Sequence, residues 1–534
     1  MNENDFLKLQ NGSDIRGVAL ECVDGEHVNL TNEVCRNIGA AFALWLSAKT
    51  GCSTDTLVIG IGRDSRLSGE ALENALVEGL AAQRVTIIRC SLATTPAMFM
   101  GTVFEETNFD GSIMITASHL PFNRNGFKFF DKSGGLERAD ITDILRSAAQ
   151  QGNAAQHRAT IPSDTTARQT SRVQHFDTID QTADTGESSV PKCRSFDLIA
   201  RYSQHLQDAI RSGLTFRSEM PLAHLKIAVD AGNGAGGFFA EQVLKELGAD
   251  TSGSRFLEPD GTFPNHIPNP ESKAAMEAAK NATVQSHSDL GLIFDTDVDR
   301  MSAVLSDGTE VNRDAIIAMM AAILAPEYPH STIVTDSVTS DRLTFFLEKE
   351  LGLTHLRYMR GYKNVINKCR ELNEQGIISP LAMETSGHGA LKDNYYLDDG
   401  AFLAVKLVTA LANAKRAGKN IESLIEKLPP MVEETELRFK IRGEDFKAYG
   451  TAVLQAFKER AEKAGFELPQ SYEGVRISFT GDEAQGWMLL RLSLHDPVMP
   501  LNIESDRKGG LEKLEATART LLAGFDRLDI SALG

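Results

Sequence analysis

The chain has 534 residues, of which 42% are hydrophobic and 24% charged, and its 55 basic and 73 acidic side chains give a formal charge of −18. This ordinary globular composition excludes a disordered chain, a collagen-like repeat and a coiled-coil rod, and the length predicts about three to five domains. The acidic balance gives no general attraction to nucleic acid or to an anionic membrane, so neither is an expected partner.

The cysteines and the apolar patterning indicate a cytoplasmic protein. None of the six cysteines are spaced as CxxC, so we expect reduced thiols and neither a disulfide scaffold nor a zinc knuckle. The first ten residues lack the apolar core of about 7–15 residues of a secretory signal. No apolar run reaches the roughly 20 residues that a transmembrane helix needs.

Three stretches share one plan, in which an apolar strand leads through a polar or glycine-bearing loop into an amphipathic helix. They are LVIGIGRDSRLSGEALENALVEGL from Leu57, LKIAVDAGNGAGGFFAEQVLKELGA from Leu225 and STIVTDSVTSDRLTFFLEKELGL from Ser331. Strands that alternate with helices predict α/β domains with mainly parallel sheets. Because the stretches lie far apart in the chain, we expect three related domains.

Two other regions differ from this plan. The segment from Gln151 to Ser189 is rich in Gln, Thr, Ser and Asp, which predicts a solvated loop or linker, with anion binding by its basic residues as the alternative. After Pro429 and Pro430, strand-like segments alternate with helix-like runs from Glu444 and Gly510. That mixture predicts a small α+β domain with an antiparallel sheet.

The first motif with chemical meaning is IMITASHLPFNRNGFKFF, from Ile113 to Phe130. An apolar strand delivers Ser118 into a loop rich in Pro, Asn and Gly, which exposes a nucleophilic hydroxyl on a rigid support. Ser118 lacks the GxSxG pattern of acyl-transfer enzymes. Taken alone, the motif is equally compatible with a loop hydrogen bond.

The second motif is LGLIFDTDVDRMSAVL, in which two apolar strands flank three alternating aspartates and Arg300. Three carboxylates on one curled loop can converge on a hard cation such as Mg²⁺, and Arg300 can hold a phosphate oxygen beside it. The pattern is not an EF-hand, because Arg300 replaces the glycine of its sixth position and Ser306 the glutamate of its twelfth. A solvated acidic turn is the alternative.

Two weaker motifs follow in the chain. In AMETSGHGA, Glu384 and Ser386 offer the acceptor and donor that vicinal sugar hydroxyls need, and His388 can move a proton. In GWMLLRLSLHDPVMP, Arg491 and Ser493 alternate at a strand end as a phosphate clamp would require. A glycine turn and an ordinary amphipathic strand are the respective alternatives.

Together these segments resemble the α-D-phosphohexomutase family, in the family's order and over nearly the whole chain. TASHLPFNRNGFK resembles its phosphoserine loop, DTDVDR its metal loop, ETSGH its sugar loop and RLSLHDP its phosphate loop. SDIRG resembles the N-terminal arginine motif, and PDGTFPNHIPNPE the stretch that precedes the metal loop.

The resemblance implies an α/β protein with three related mixed α/β domains and a C-terminal α+β domain like the TATA-binding protein, arranged around a central cleft. We expect the phosphoserine-loop domain at 1–195, with a polar insertion at about 151–190. The metal-loop domain is expected at 196–308, the sugar-loop domain at 309–430 and the phosphate-loop domain at 431–534.

The resemblance also implies residue roles. The catalytic candidates are Ser118, which carries the phosphoryl group, and Lys128, His388, Arg16 and His119. The ligands of one Mg²⁺ per chain are Ser118, Asp295, Asp297 and Asp299. The substrate-binding candidates are Arg300, Glu384, Ser386, Arg491, Ser493 and His495.

The implied reaction interconverts hexose 1-phosphate and hexose 6-phosphate of glucose or mannose through a phosphoserine enzyme and a 1,6-bisphosphate intermediate. The partners are small-molecule sugar phosphates, a hexose 1,6-bisphosphate is the activator, and a monomer or homodimer is expected. Two alternatives remain, the same chemistry on glucosamine or pentose phosphates and a catalytically lapsed homologue that binds sugar phosphates. The second is motivated by the phosphate loop, where His495, Asp496 and Pro500 replace the family's Thr, Glu and second Arg.

Overall fold

The computed structural model describes residues 2–159, 192–481, 485–493 and 496–534, and it describes the side chains of all of these except 152–159. The chain divides into two compact units. The first comprises Met1–Tyr202 and Pro259–Pro264, and the second comprises Ser203–Glu258 and Asn265–Gly534.

The first unit contains a mixed eight-stranded sheet with the order β1-β2-β6-β5-β3-β4-β8, and β7 pairs with β6. The central strand β3 is parallel to β4 and β5, and β5 is antiparallel to β6. The strands are β1 (Gln10–Asn11), β2 (Asp14–Val18), β3 (Val58–Arg63), β4 (Thr86–Leu92), β5 (Gly111–Ile115), β6 (Arg124–Asp131), β7 (Gly134–Gly135) and β8 (Cys193–Ser195). The helices are α1 (Glu3–Leu7), α2 (Asn32–Thr50), α3 (Gly69–Ala82), α4 (Thr95–Met100) and α5 (Arg138–Ala159).

Local sequence signals explain the long helix α2. The hydroxyl of Thr31 accepts a hydrogen bond from the Val34 N–H and caps its N-terminus, and Gly51 ends it in the left-handed conformation with φ 72°. Its apolar face, with Ile38 and Phe42 fully buried, packs on the sheet and forms the core of the first unit. This core supports β5, the strand that leads to Ser118.

The second unit begins within α6 (Leu198–Gly213), which crosses the division between the units. Its first sheet has the order β12-β11-β10-β9, with β9 and β10 parallel and the others antiparallel. The elements are β9 (Ile227–Asp230), α7 (Lys273–Gln285), β10 (Leu290–Phe294), β11 (Met301–Leu305), β12 (Glu310–Val311) and α8 (Arg313–Leu324). The metal-loop motif is the connection of the β10–β11 hairpin.

The second sheet of this unit has the order β14-β13-β15-β16-β17 and is also mixed. Its strands are β13 (Thr332–Thr335), β14 (Thr354–Arg357), β15 (Leu381–Met383), β16 (Gly389–Leu391) and β17 (Leu397–Asp398). Its helices are α9 (Asp341–Phe345), α10 (Tyr362–Glu374) and α11 (Gly400–Arg416). The sugar-loop motif joins β15 to β16.

The last sheet is antiparallel throughout its described pairings, with the order β19-β20-β21-β18-β22. Its elements are β18 (Glu433–Ile441), α12 (Phe446–Lys463), β19 (Val475–Phe479), β20 (Gly486–Leu490), β21 (Val498–Ser505), α13 (Gly510–Leu522) and β22 (Leu528–Asp529). Three mixed α/β sheets followed by an antiparallel α+β layer confirm the predicted fold class. The expectation of mainly parallel sheets was wrong, because antiparallel hairpins extend the parallel strands in each of the three.

Three local predictions need correction. Helix α5 continues to Ala159, so the first part of the polar segment predicted as a loop is helical, and residues 160–191 lie outside the described part of the chain. In the second repeat, Phe239–Leu244 forms π-helical turns and Lys245–Leu247 a 3₁₀ turn where an α-helix was predicted. In the third repeat, the predicted helix is α-helical only over α9 and continues as π-helical turns over Phe346–Glu350. No helix in the described residues is long and apolar enough to cross a membrane.

Candidate active site

Ser118 lies three residues beyond β5 in the first unit. Its residue is only 7% exposed, its backbone is left-handed with φ 48°, and its N–H donates to Thr116 Oγ1 at 2.9 Å. The Oγ atom lies 3.4 Å from Nδ1 of His119, whose side chain is exposed. Holding a serine backbone in the left-handed region costs about 1–3 kcal/mol, which contacts with the surroundings must offset. Such strain is typical of functional sites.

Two of the predicted cations lie on strands of the same sheet. Arg16 on β2 donates to the carbonyl of Thr116, and its Nη2 lies 2.7 Å from Asp14 Oδ2. Lys128 on β6 is 5% exposed and stands opposite Met114 of β5. The antiparallel pairing of β2, β6 and β5 therefore gathers these side chains on the strands around the Ser118 segment.

The three aspartates of the metal-loop motif converge in the second unit. Asp295, Asp297 and Asp299 are all 0% exposed, and each offers a carboxylate oxygen within 4.8 Å of those of the others. Burial, followed by the charges of Asp299 and Asp297, holds the pKa of Asp295 well above its ordinary value. Like charges buried this closely repel one another, and a hard divalent cation is what such an oxygen set accommodates.

Arg300 closes this loop and is 1% exposed. Its backbone N–H and its Nε each lie 3.2 Å from a carboxylate oxygen of Asp295. Its Nη1 donates to Asn269 Oδ1 at 3.2 Å and lies 3.5 Å from Glu271. The first residue of α11, Gly400, approaches so closely that a Cβ there would lie 2.7 Å from the Arg300 backbone.

The sugar-loop motif is held by its own backbone and by Asp336. The Glu384 N–H donates to the His388 carbonyl at 2.9 Å, and its Oε1 accepts the Gly361 N–H at 2.6 Å. Thr385 donates its hydroxyl to Asp336 at 2.9 Å. Burial and the charge of Glu384 raise the pKa of Asp336 to about 7. Ser386 Oγ lies 3.4 Å from Glu384 Oε2, so the two predicted sugar contacts share one small site.

His388 connects the sugar loop to the aspartates. Its Nδ1 lies 2.6 Å from Asp398 and 3.8 Å from Asp299, and its ring stacks on Tyr362 with centroids 5.1 Å apart. Burial alone would lower the pKa of His388, but the charges of Asp398 and Asp299 outweigh it and raise the pKa to about 9. The ring is thereby fixed between two carboxylates.

The phosphate-loop motif lies on the β20–β21 hairpin. Strand β20 ends at Leu490, and the hairpin continues because Arg491 N–H donates to the Pro500 carbonyl at 2.9 Å and Ser493 N–H to Val498 at 3.0 Å. The Arg491 guanidinium lies 3.3 Å from Asn502 Oδ1. His495 lies outside the described residues.

A second guanidinium, that of Arg360, lies near this hairpin. The backbone N–H of Arg360 donates to Glu473 Oε1 at 3.0 Å, and the same oxygen lies 3.9 Å from Arg491 Nη1. Burial lowers the pKa of Arg491, and the positive charge of Arg360 lowers it further, although Glu473 opposes both. The Arg360 side chain is 31% exposed. A cavity of about 430 Å³ is lined in part by Arg360, Thr385, Ser386, Glu436, Trp487 and Asn502.

Several residues of the site were not predicted from the sequence. Arg360 and Asp398 stand outside every quoted segment, and Asp336 lies in the third repeat without having been singled out. Only their places just beyond or at the ends of β14, β17 and β13 mark them. Asn269 and Glu271 lie in the PDGTFPNHIPNPE stretch, whose polar, proline-rich character was visible but whose contact with Arg300 was not.

Comparison with known proteins gives a consistent result. Models of the phosphoglucomutase/phosphomannomutase alpha/beta/alpha domains I, II and III match residues 8–155, 200–308 and 312–432. A phosphomannomutase/phosphoglucomutase of Pseudomonas putida is 26% identical, covering 92% of this chain and 93% of its own. A phosphoglucosamine mutase of Natranaerobius thermophilus is 28% identical, covering 95% and 97%.

The structural comparison agrees in fold. A phosphoglucomutase/phosphomannomutase family protein from Burkholderia thailandensis superimposes with a TM-score of 0.73 at 25% identity and covers 98% of both chains. The open form of parafusin from Paramecium superimposes with a TM-score of 0.66 at 17% identity, which is a likeness of fold alone.

Proposed function

Because this chain belongs to the phosphoglucomutase/phosphomannomutase family, we propose that it interconverts the 1-phosphate and 6-phosphate of a hexose, with glucose and mannose as the sugars. The family consists of phosphohexomutases, so the chain is an isomerase that moves a phosphoryl group between two positions of one sugar. Sugar phosphates are accordingly its proposed partners.

The observation that carries the proposal is a continuous line of contacts through the second unit. Asp299 lies beside His388, whose carbonyl accepts the Glu384 N–H. Glu384 in turn accepts the N–H of the residue after Arg360, and Glu473 joins Arg360 to Arg491. Carboxylates for a cation, a sugar-binding pair and two guanidiniums thus follow one another in the order that a sugar phosphate needs.

In the proposed reaction, Ser118 carries the phosphoryl group. The Ser118 Oγ–P bond breaks as a sugar hydroxyl oxygen forms the new O–P bond, and the hydroxyl proton leaves while Ser118 Oγ regains one. The same steps in reverse return the other phosphate of the 1,6-bisphosphate to Ser118. Lys128 and His388 are the proposed proton carriers, and Arg16 on β2 and His119 next to Ser118 are the further proposed catalytic groups. In reactions of this kind the protein mainly positions and neutralises the phosphoryl group.

Asp295, Asp297 and Asp299 would hold one divalent cation, and their all-oxygen donor set fits Mg²⁺. Bound Mg²⁺ would supply positive charge that offsets the negative charge of the transferring phosphoryl group. Arg300 positions Asp295 and is the proposed phosphate contact beside it. The role of Ser118 as a further metal ligand is proposed from the family resemblance alone.

Glu384 and Ser386 are proposed to bind sugar hydroxyls, as an acceptor and a donor 3.4 Å apart. Arg491 and Ser493 are proposed to bind the phosphate that is not being transferred, and so is His495, which lies outside the described residues. Arg360 joins them in this proposal, because its guanidinium lines the same cavity as Ser386. Arg360 would provide the second positive charge, because Pro500 replaces the second Arg of the family's phosphate loop in this chain.

A coupled assay tests the function. Glucose, mannose, glucosamine and pentose 1-phosphates are offered with Mg²⁺ and glucose 1,6-bisphosphate, and we expect the highest kcat/KM with glucose or mannose. Glucosamine 1-phosphate belongs in the panel because a phosphoglucosamine mutase is 28% identical over 95% of this chain. Binding of a sugar phosphate without turnover of any would instead identify a catalytically lapsed homologue.

The remaining expectations are part of the same proposal. The domain division at 195, 308 and 430 is supported by the four sheets, one of which falls largely within each segment. A hexose 1,6-bisphosphate activator is proposed because a bisphosphate intermediate that leaves the enzyme leaves Ser118 without phosphate. Added bisphosphate would restore the phosphate on Ser118. A monomer or homodimer in the cytoplasm stays a prediction.

A further inference from the structure

Arg66 makes an unusual set of contacts with the segment that carries Ser118. It follows β3, and its side chain is 0% exposed. Its Nη1 donates to the carbonyls of Pro121 at 2.8 Å and Arg124 at 3.0 Å. Its Nη2 donates to the carbonyls of Leu120 at 2.7 Å and Ser118. One guanidinium thus binds four backbone carbonyls between residues 118 and 124.

The remaining N–H of this guanidinium faces a carboxylate. Arg66 Nε lies 3.3 Å from Asp64 Oδ2, and the other oxygen of Asp64 accepts the Arg66 backbone N–H at 3.0 Å. Asp64 is likewise 0% exposed. An arginine side chain has five N–H groups. The Nη1 and Nη2 atoms of Arg66 donate to carbonyls, and Nε lies close enough to Asp64 for an ion pair that compensates the charge. The contacts of Arg66 thus join this buried ion pair to the Ser118 segment.

An aromatic ring from a distant part of the sequence covers the guanidinium. Phe263 belongs to the stretch Pro259–Pro264, which is part of the first unit. The centre of its ring lies 5.3 Å from Arg66 Cζ, within the range of a cation–π interaction. This stretch is the beginning of the PDGTFPNHIPNPE motif, and the proposed reaction gives its Phe263 no other part.

Backbone hydrogen bonds hold part of the Ser118 segment, both within it and from Ala19 and Leu20 to the Asn123 carbonyl. Within it, the Leu120 N–H donates to the Ala117 carbonyl at 3.0 Å and the Arg124 N–H to the Pro121 carbonyl at 2.9 Å. Pro121 has no N–H, and Ser118 is in the left-handed region. Arg66 therefore adds four hydrogen bonds to this set, and the Pro121 carbonyl accepts from both Arg66 and the Arg124 N–H.

We propose that Arg66, paired with Asp64 and covered by Phe263, is a positioning residue that fixes the 118–124 segment and thereby the location of Ser118 Oγ. This rests on the proposed function in that Ser118 is taken to carry the phosphoryl group. Because a displacement of about 1 Å at a reacting atom costs about a hundredfold in rate, a guanidinium with four backbone contacts is a direct determinant of turnover.

The first test is Arg66→Lys. Lysine keeps the charge but presents three N–H groups from one nitrogen, so it cannot bind four carbonyls and Asp64 at once. We expect kcat to fall about a hundredfold while KM for glucose 1-phosphate changes by less than about twofold. Phosphorylation of Ser118 by glucose 1,6-bisphosphate, followed by intact mass, should slow by the same factor as kcat.

The matched control is Arg63→Lys, in the same GRDSR segment. Arg63 pairs through Nε with Glu73 at 3.2 Å and is 26% exposed, so the same substitution should leave kcat unchanged. If Arg66→Lys does not fold, Phe263→Leu carries the test, because it removes the ring's interaction and keeps an apolar side chain. We then expect a lower kcat and faster amide hydrogen exchange confined to residues 118–124.

A folded Arg66→Lys protein with the kcat of the wild type overturns the proposal. Where that variant does not fold, a Phe263→Leu protein with unchanged kcat and unchanged exchange at 118–124 overturns it. The proposed function fails separately, by a wild-type protein that never acquires phosphate on Ser118. In that case the exchange measurement still decides whether Arg66 and Phe263 fix the segment.

Discussion

At the scale of single residues, Ser118 combines a reactive hydroxyl with a conformation that few serines adopt. Its left-handed backbone is stabilised by Thr116 and by carbonyl contacts to Arg66, and its residue is 7% exposed. These features keep one hydroxyl at a fixed place and away from bulk water. If Ser118 carries the phosphoryl group as proposed, both properties favour its transfer to a sugar over its transfer to water.

We expect Ser118→Ala to abolish phosphoenzyme formation and nearly all turnover while the fold is kept, because alanine removes only the Oγ atom. The measurement is intact mass after incubation with glucose 1,6-bisphosphate, together with the thermal midpoint Tm. Ser133→Ala, which removes an ordinary turn hydroxyl bonded to Asp131 in the same unit, is the control. An active Ser118→Ala protein with phosphate on another residue would contradict the assignment.

Replacing one of the three buried aspartates should have opposite effects on the stability of the metal-free protein and on its affinity for Mg²⁺. Asp297→Asn removes one of three converging charges, so the protein without metal should have a Tm equal to or above that of the wild type. The rise in Tm on adding Mg²⁺ should shrink, and the Mg²⁺ concentration for half-maximal activity should increase at least about tenfold, as a loss of about 1.5–3 kcal/mol implies. Asp307→Asn, at the next turn, is the control. An unchanged Mg²⁺ requirement would exclude Asp297 as a ligand.

The contact between His266 and Asp230 should make the free energy of unfolding depend on pH. The Nε2 atom of His266 lies 3.0 Å from Asp230, and both side chains are buried. Burial alone would lower the pKa of His266, but the hydrogen bond and charge of Asp230 raise it above its ordinary value. A raised histidine pKa stabilises the folded state fully below the unfolded pKa of about 6.5, and the contribution is lost as pH rises through the folded pKa.

We therefore expect His266→Gln to lower Tm more at pH 6 than at pH 9. Parallel thermal melts of wild type and variant at both pH values measure this difference. His224→Gln, which changes an exposed histidine of the same unit, should show no such difference. An equal loss of Tm at both pH values would mean that His266 acts through packing.

At the scale of elements, the β20–β21 hairpin and the start of α10 present the two guanidiniums of the proposed phosphate site. Arg491 extends the hairpin beyond β20, and Arg360 precedes α10 by two residues. Each backbone is hydrogen bonded, Arg491 to Pro500 and Arg360 to Glu473, so neither depends on the substrate for its placement. Their mutual repulsion makes an anion between them favourable.

We expect Arg491→Ala to raise KM for glucose 1-phosphate at least about tenfold, as the loss of one charge-assisted hydrogen bond of about 1.5–3 kcal/mol implies. Arg360→Ala should raise KM as well, and the double variant should show less than the product of the two effects because both act on one phosphate. Arg438→Ala, on the neighbouring strand β18 and 71% exposed, is the control. An unchanged KM for Arg491→Ala would place the phosphate elsewhere.

The sequence predicted elements wherever a strong local pattern exists. The strands before Ser118 and on both sides of the aspartates are apolar and β-branched, and the structure has β5, β10 and β11 there. The prediction was wrong for residues 151–159, because the scarcity of large aliphatic residues hid the good helix formers Ala, Gln and Arg, which outnumber the Gly, Asn and His between them. The contacts of Arg360 and Asp398 could not be predicted, since they depend on which loops the sheets bring together.

At the scale of the whole molecule, the chain has a formal charge of −18, although its proposed substrates are anions. The cations of the proposed site, Arg300, Arg360 and Arg491, are largely buried and each lies within 4.0 Å of a carboxylate. The positive charge that a phosphate meets is therefore local. The field farther out is that of an acidic protein.

The net charge predicts a salt effect on stability. Like charges on the folded chain repel, and at about 0.1 M salt the Debye length is about 10 Å, so added NaCl should screen this repulsion. We expect Tm to rise between 10 and 200 mM NaCl in the presence of EDTA, which keeps divalent ions out of the comparison. A fall in Tm would mean that the surface ion pairs, each worth about 0–1 kcal/mol, together outweigh the repulsion.

The contact of Gly400 with the backbone of Arg300 has a consequence for protein engineering. The start of α11 also donates the Gly400 N–H to the Val298 carbonyl at 3.1 Å, so the aspartate loop has a helix directly against it and no space to accept bulk. A library that randomises Gly400 would return mostly inactive clones whatever sugar is selected. Selection for a new substrate is better directed at the β20–β21 hairpin, where Trp487 and Asn502 line the cavity.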